Sequence, residues 1–320
     1  MITVRTFCLF ILLLFLSSVT YAFDGPLQVR NQFPLFLPVH APDFEKASIE
    51  NSFSASFSYS SLYLVQDSSE WSVGLDMEIA ELNLRFRKSF GNIIEFGIDL
   101  PIAGFTSGFM DGFLSSYHDT FGFADYGRSE RPENTFLFEL RKNRKLIIEG
   151  ENGHIALGDT NLSVKVPMRK GDPIISVRGE IEFPTGDAER GFGNGSLDAG
   201  MSLLIDKNIS EKLKAYINLG AVSPGDYKGY DKVCFREFFY GGASLEAIMG
   251  KDVSIIGQVF IQGSPFPKTG IAEVDRTAVL LSFGGRYQAQ KSSFEFSLTE
   301  DPNTAGAPDV TFHVTMKKRF

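Results

Sequence analysis

Cysteine is nearly absent from the sequence, which holds only Cys8 and Cys234 in 320 residues. Cys8 lies inside an apolar run near the amino terminus. A chain that has lost this run keeps one cysteine and cannot form an internal disulfide. The sequence therefore excludes a disulfide-stabilised fold, and we interpret Cys234 as a small residue in a loop.

An excess of basic charge is absent as well. The chain has 31 Lys and Arg residues against 39 Asp and Glu residues, a net charge of −8 at pH 7. Proteins that bind nucleic acids need positive charge to neutralise phosphates. We therefore expect no nucleic-acid partner. No motif in the sequence indicates a cofactor, and we expect none.

Long apolar runs are missing beyond residue 22, so no segment there predicts a transmembrane helix, which needs about 20 apolar residues. The apolar run at 7–16 is shorter than that, follows Arg5 and precedes the small-residue site Thr20-Tyr21-Ala22. This arrangement is typical of a signal peptide. We expect residues 1–22 to be a signal peptide and any membrane role to rest on β-strands.

Apolar and polar residues alternate from residue 51 to the end of the chain. In the last segment Val310, Phe312 and Val314 alternate with Thr311 and His313. Strands that are apolar on one face cross a bilayer only in a closed sheet, which pairs all its backbone groups. Twelve such segments begin at Phe53, Trp71, Ile94, Leu162, Ile175, Leu197, Leu213, Phe239, Val253, Val279, Phe294 and Val310.

The sequence therefore predicts an all-β fold, a transmembrane antiparallel up-and-down β-barrel of twelve strands over residues 51–320. We expect it in the outer membrane of a Gram-negative bacterium, in contact with outer-membrane lipid. The terminal Phe320 is typical of the signal that barrel-assembly machinery recognises, so that machinery is an expected partner. In the second strand the alternation changes phase near Glu81, and a β-bulge there would explain the change.

Connection lengths agree with this topology, because outer-membrane barrels alternate short periplasmic turns with long external loops. Short turns alternate with longer connections from the third strand onward. The longer connections are 104–157, 185–195, 223–236, 264–275 and 301–308. Both chain termini then lie on the periplasmic side. The first connection, at about 67–70, is short although it should be external.

The segment 104–157 is too long for a plain loop and is predicted to be an external insert. Phe109, Phe113, Tyr117 and Phe121 recur every four residues, which indicates one face of a short helix. Residues 136–148 indicate a hairpin. If the hairpin at 135–150 also spans the membrane, the barrel has fourteen strands, and this is the structural alternative.

Several stretches together resemble a bacterial family without an assigned function, domain of unknown function 3187. The stretches are Val29-Arg30-Asn31-Gln32-Phe33-Pro34, Gly108-Phe109-Met110-Asp111-Gly112-Phe113, Tyr117-His118-Asp119, Phe121-Gly122, Gly158-Asp159, Pro184-Thr185-Gly186-Asp187-Ala188-Glu189-Arg190, Gly284-Gly285-Arg286-Tyr287 and Ala307-Pro308-Asp309-Val310-Thr311-Phe312-His313. The resemblance covers nearly all of the mature chain and implies an exported barrel. More loosely, the chain is similar to barrels that take up hydrophobic compounds and fold an N-terminal segment into the lumen. Residues 23–50 are long enough for such a plug, or for a periplasmic segment.

Charged residues of both signs fall on the inward face of the predicted strands. The lumen-lining candidates are Arg85, Arg87, Glu95, Asp99, Lys165, Arg178, Glu180, Glu182, Asp198, Glu246, Arg286, Glu295 and His313. A selective pore presents rings of one sign. The mixture favours a paired polar core that braces the wall, and a solute path lined by these groups is the alternative.

Residues of the external insert are candidates for a gate over the barrel mouth. They are Phe109, Asp111, Phe113, Tyr117, His118, Asp119 and Phe121. His118 with its acidic neighbours also raises a catalytic or cation-binding reading. However, the side chains of adjacent residues point in different directions on a helix or a strand. The His-x-Ser triplet, which is typical of the phospholipase type of barrel, does not occur in the sequence. We therefore predict no catalytic residue and no metal ligand.

The loop at 186–195 is rich in glycine and has the look of a phosphate cradle. It carries Asp187 and Glu189, however, and no helix follows it, so the phosphate interpretation is weak. The function that the sequence favours is passive transport of a small solute, and the narrower expectation is a hydrophobic one. The alternatives are a structural or surface-interaction barrel without a conducting pore and, less favoured, a lipid-modifying enzyme such as a lipid hydrolase.

Overall fold

The computed structural model describes residues 24–112 and 131–320. Within these residues twelve antiparallel strands form a closed barrel in which each strand pairs with the next, and the last strand returns to pair with the first. The wall strands are β1 (Ser52–Asp67), β2 (Trp71–Phe90), β3 (Ile94–Thr106), β7 (Thr160–Arg169), β8 (Ile174–Phe183), β9 (Asp198–Asn208), β10 (Leu213–Ser223), β13 (Phe238–Ile248), β14 (Val253–Gln262), β15 (Ala278–Ala289), β16 (Ser292–Glu300) and β17 (Val310–Arg319). The predicted fold class and strand number are confirmed.

The two faces of the wall differ as the alternation predicts. On β15 the outward residues Leu281 and Phe283 are 45% and 66% exposed, whereas the inward residues Ser282 and Arg286 are buried. An apolar exterior and a polar interior are typical of a barrel that faces lipid.

Closure of the barrel depends on the pairing of β1 with β17, which runs from Ser52 opposite Arg319 to Ser61 opposite Val310. Short turns join strands at the end of the barrel that holds Ser52 and Phe320, which we call the terminus end. Long connections lie at the opposite end, which we call the loop end. The predicted alternation of connection lengths is therefore present.

Five shorter strands in the described part of the chain lie outside the closed wall. They are β4 (Leu137–Lys142), β5 (Lys145–Glu149), β6 (Ile155–Leu157), β11 (Tyr227–Lys228) and β12 (Lys232–Val233). The β4–β5 hairpin pairs with β2 only at residues 71–76, while β2 pairs with β3 along the wall. The fourteen-strand alternative is therefore wrong, because the hairpin adds to the loop end without entering the wall.

The short first connection at the loop end has a structural reason. β1 and β2 have 16 and 20 residues, so their hairpin extends past the neighbouring strands. The strands themselves supply the length that a loop supplies elsewhere in the barrel.

The phase change in β2 is not a bulge, and that prediction was wrong. The pairing of β2 with β1 and with β3 is continuous through Glu81. Inward residues change from polar Glu81 and Asn83 to apolar Ile79 and Met77, and all four are buried. The surroundings of the strand change at this level, from a polar lumen to an apolar core at the loop end, while its register stays the same.

The loop end holds the main apolar core of the described chain. Strands β1, β2, β4 and β5 and the long loops contribute to it, and so does the N-terminal segment through Phe33, Leu35 and Phe36. Within residues 24–112 and 131–320, no helix is long and apolar enough to cross a bilayer. One short helix, α1 (Ala272–Asp275), lies in the connection between β14 and β15.

Two predictions fall outside the described residues. One is the signal peptide at residues 1–22. The other is the amphipathic helix of the insert, apart from its first residues Phe109 to Gly112.

Candidate functional site

Residues 24–50, which we call the lumen segment, pass through the barrel twice. The segment starts at the terminus end, where Asp24 forms an ion pair with Arg319. It reaches the loop end at Phe33 and Phe36, which join the apolar core there. It then returns to the terminus end, where Glu50 forms an ion pair with Lys317.

Polar contacts hold the outgoing half of the lumen segment to the wall. Arg286 of β15 donates a hydrogen bond to the carbonyl oxygen of Gly25 at 2.7 Å. The backbone N–H of Leu27 donates to Gln258 of β14 at 3.1 Å. Main-chain groups of an irregular segment need such partners because no ladder satisfies them.

Charged contacts hold the returning half. Arg178 of β8 donates to Asp43 at 3.1 Å, and Arg85 of β2 forms a second ion pair with the same carboxylate. Arg87 of β2 donates to Glu45 at 2.7 Å. A buried carboxylate needs such charged donors, since leaving it unpaired in the barrel would cost several kcal/mol.

The pKa of Glu45 reflects this arrangement. Burial by itself would raise it, but the nearby positive charges of Arg87 and Lys165 hold it well below its ordinary range. Glu45 therefore remains a carboxylate in the lumen, where it is an acceptor for the wall cations.

His40 lies in a second charged group near the loop end. Its backbone N–H donates to Asp198 at 2.8 Å, and its Nε2 and Nδ1 lie 3.5 and 3.8 Å from carboxylate oxygens of Glu180 and Glu182. Burial by itself would lower the pKa of His40, but the two glutamates outweigh burial and raise it to about 10. His40 is therefore a positive charge at neutral pH.

All thirteen predicted lumen-lining residues are buried inside the barrel. Ten of them contact the lumen segment: Arg85, Arg87, Glu95, Lys165, Arg178, Glu180, Glu182, Asp198, Arg286 and Glu295. The other three contact wall residues. Asp99 accepts from Arg87 at 2.5 Å, Glu246 accepts from Arg286 at 2.8 Å, and His313 bonds to Ser58 and Thr299.

Sequence reasoning missed the residues of the lumen segment that make these contacts, chiefly His40, Asp43, Glu45 and Glu50. The segment follows neither the strand nor the helix period, so no pattern separates its buried charges from ordinary exposed ones. The mixed signs on the wall were the available signal, because wall charges of both signs need partners inside the barrel.

The free space between the lumen segment and the wall beside Arg30 is small. Three cavities beside Arg30 have volumes of about 10 Å³ each. A volume of about 10–15 Å³ holds one water molecule. In this conformation a solute larger than water cannot pass along these cavities.

His313 and Ser58 have the separation of a nucleophile and a base, with 2.9 Å between Oγ and Nδ1. The other ring nitrogen lies 3.1 Å from Thr299 Oγ1, so a hydroxyl and not a carboxylate orients the ring. All three side chains are buried. This arrangement is a hydrogen-bonded brace between β1, β16 and β17.

The described part of the external insert packs on the outside of β1 and β2. Phe109 is 74% exposed and stacks on Tyr59 with 5.6 Å between ring centroids. Asp111 accepts a hydrogen bond from the backbone N–H of Asn134 at 2.6 Å. The other gate candidates, Phe113, Tyr117, His118, Asp119 and Phe121, lie outside the described residues. Across residues 24–112 and 131–320, no three His, Cys, Asp or Glu side chains form a group that could hold a metal ion.

The glycine-rich loop after β8 surrounds an anion that belongs to the chain itself. Asp159 accepts from the backbone N–H groups of Gly186 and Asn194 at 2.8 and 3.0 Å. A Cβ atom on Gly193 would lie 2.3 Å from the same carboxylate, so glycine is needed there. The loop therefore has a structural role, because its N–H groups bind a carboxylate of the chain itself. This arrangement does not support the interpretation of the loop as a phosphate cradle.

The barrel is similar to solved channel structures. It superposes on an outer membrane channel from Pseudomonas putida F1 with a TM-score of 0.56 and 12% identity, over 85% of this chain and 96% of that chain. A NanC porin matches with a TM-score of 0.46 and 7% identity, over 84% and 100% of the two chains. The toluene transporter TodX of P. putida matches with a TM-score of 0.43 and 11% identity, over 85% and 90%. At such identities the likeness concerns the fold.

The sequence comparison gives a family. No curated protein matches the chain at a significant level. Residues 2–320 match the family described as "Protein of unknown function (DUF3187)", so the resemblance seen in the sequence is confirmed. The chain therefore belongs to the DUF3187 family.

Proposed function

We propose that this protein is an outer-membrane channel for passive diffusion of a small solute, and that the lumen segment is its gate. The observation that carries the proposal is what fills the lumen. Small barrels fill their interior with side chains of the wall itself. Here two passes of a connected segment fill it, and polar contacts such as those of Gly25 and Glu45 hold the segment.

The kind of contact matters for gating. Water and ions can replace the hydrogen bonds and ion pairs of the segment when it moves. Its apolar side chains, such as Phe33, Phe36 and Phe44, would have to leave their packed clusters in the same movement. Among the described residues, the covalent chain joins the segment to the wall at Ser52, where β1 begins. It can leave its place without breaking the strand pairing of the barrel.

The proposed location and orientation follow from the wall. The apolar exterior supports insertion into lipid, and short turns are periplasmic in outer-membrane barrels, so the terminus end would face the periplasm. Phe320 is 61% exposed at that end, where assembly machinery could bind it. This location implies export by a signal peptide in a Gram-negative bacterium.

The apolar core at the loop end favours a hydrophobic solute. Phe33 and Phe36 of the lumen segment lie there with Phe105, Phe192 and Phe266. A solute that displaces the tip of the segment would therefore meet aromatic rings first. This is the narrower form of the proposal, and we propose no catalytic activity.

Liposome swelling tests the proposal. Pure full-length protein in liposomes is expected to admit small sugars faster than protein-free liposomes do, with a rate that falls as solute size increases. Liposomes with heat-denatured protein are the control. If liposomes with folded protein swell no faster than the controls, the alternative of a structural barrel is favoured.

A further inference from the structure

The seam between β1 and β17 is incomplete at the loop end. The ladder stops at Ser61 opposite Val310, but β1 continues to Asp67, and there β2 is its partner among the described strands. The carbonyl oxygen of Ser61 accepts from Asp309 and so points toward β17. Every second residue of an antiparallel strand points its backbone N–H and C=O groups to the same side. The backbone groups of Val65 therefore point to the same side as those of Ser61, beyond the end of the ladder.

A cavity lies beside this open edge. It is lined by residues of β1, by α1 and by the connection between β16 and β17, and its volume is about 170 Å³. A cavity of about 150 Å³ lined by apolar residues holds benzene. The space at the seam therefore suits a molecule with one ring.

The chemistry of the lining is asymmetric. Phe33, Leu62 and Leu64 are buried and form an apolar part. Glu273 supplies a carboxylate, and among the described residues no Lys or Arg lines the cavity. An apolar pocket with an acidic group at its edge favours a ligand that has an apolar body and a positive charge.

We propose that this cavity binds a small amphiphilic cation, a molecule with one ring-sized apolar group and one ammonium group. The site does not depend on the proposed channel activity, since it lies at the seam of the wall. It does contact the lumen segment, because Phe33 forms part of its lining. An occupant would therefore touch the tip of that segment.

Calorimetric titration of the full-length protein in detergent micelles tests the site with three probes of nearly equal size. Benzylamine at pH 7 carries the ammonium group, benzyl alcohol is neutral, and benzoate is negative. We expect saturable binding of benzylamine at one site, binding of benzyl alcohol that is about tenfold weaker or more, and weaker still for benzoate.

Substitutions locate the binding. Glu273→Gln is expected to reduce the affinity for benzylamine to that for benzyl alcohol. Glu70→Gln, which removes an exposed acid at the loop end outside the cavity, is the matched control and should change nothing. Ala307→Leu fills the cavity and should abolish saturable binding of both probes. Leu64→Phe fills the cavity from the side of β1. It is the second cavity-filling variant, used if Ala307→Leu does not show the heat-modifiable migration of a folded barrel.

Two results would overturn the proposal. One is equal affinity for benzylamine and benzyl alcohol, because the carboxylate of Glu273 would then play no part. The other is unchanged benzylamine binding in a folded cavity-filling variant, because the probe would then bind elsewhere or partition into the micelle.

Discussion

Arg87 of the barrel wall donates a hydrogen bond to Glu45 of the lumen segment, with 2.7 Å between Nη2 and Oε1. The same guanidinium donates to Asp99 of the neighbouring strand at 2.5 Å. One cation therefore connects the segment to two strands of the wall. Pairs of buried charges between wall and segment are therefore one of the two kinds of contact that hold the lumen segment, beside the apolar packing of residues such as Phe33 and Phe36.

Removal of this cation should strongly destabilise the protein. Arg87→Met leaves Glu45 and Asp99 with fewer positive neighbours in a buried place, and breaking a buried pair in this way costs about 3–5 kcal/mol. We expect the urea midpoint of unfolding in micelles to fall accordingly. Arg141→Met is the control, because the partner of Arg141 is the partly exposed Glu139 of the β4–β5 hairpin. Equal midpoints for the two variants would contradict the role of Arg87.

Arginine substitutions test which outward residues of the barrel wall face lipid. Leu281→Arg places a charge on the lipid-facing side of β15, where the cost is about 2–4 kcal/mol near the middle of the bilayer. Val65→Arg changes an outward residue of the β1 extension at the loop end, where we expect water, so the effect should be within about 0.5 kcal/mol. Yield of heat-modifiable protein after refolding in liposomes measures both. A larger loss of yield for Val65→Arg than for Leu281→Arg would mean that the boundary between lipid and water lies elsewhere on the barrel.

The single tryptophan reports on the tip of the lumen segment. Trp71 packs edge-on against Phe266 at 6.1 Å, and Phe266 stacks on Phe36 of the segment at 6.2 Å. Phe36→Ala should create a cavity that costs about 3–5 kcal/mol and admits water, which shifts Trp71 emission to the red. Phe239→Ala, at a lipid-facing position that is 79% exposed, is the control. Unchanged emission in Phe36→Ala would mean that the tip does not cover this cluster.

Stability should depend on pH through His40. Its pKa is raised to about 10 in the folded protein, above about 6.5 for an unperturbed histidine. The folded state therefore binds the proton more tightly, and this contribution is complete below about pH 6.5 and is lost as pH rises toward 10. Urea midpoints at pH 6.5 and 9.5 measure the change. His40→Gln should show a smaller decrease between these pH values, and an equal decrease in both proteins would exclude His40 as the cause.

The barrel itself could be predicted from the sequence because the wall has a strict period of two. Outward residues such as Val259 and Leu281 and inward residues such as Arg286 and His313 fall on the faces that alternation gives them. The prediction of a bulge near Glu81 failed for a physical reason. Alternation reports the surroundings of each face, and at this level the surroundings change on both faces of β2 while the register does not.

The contents of the lumen could be predicted only in part. Mixed charges such as Arg178 and Glu180 indicated pairing inside the barrel, and several such pairs exist. The partner of Arg85 and Arg178 is Asp43, however, which belongs to a segment without any period. Contacts between residues more than 40 positions apart leave no trace in local spacing, so the path of the lumen segment became visible only in three dimensions.

Single-channel recording in planar bilayers tests the gate most directly. The comparison is between the full-length protein, the double variant Asp43→Asn/Glu45→Gln and the exposed control Glu139→Gln. Loss of two buried carboxylates leaves Arg85, Arg87 and Arg178 facing neutral amides at positions 43 and 45, so the segment should leave the lumen more often. We predict rare openings for the full-length protein and the control, and frequent openings of larger conductance for the double variant. Identical traces from all three folded proteins would contradict a gate formed by residues 24–50.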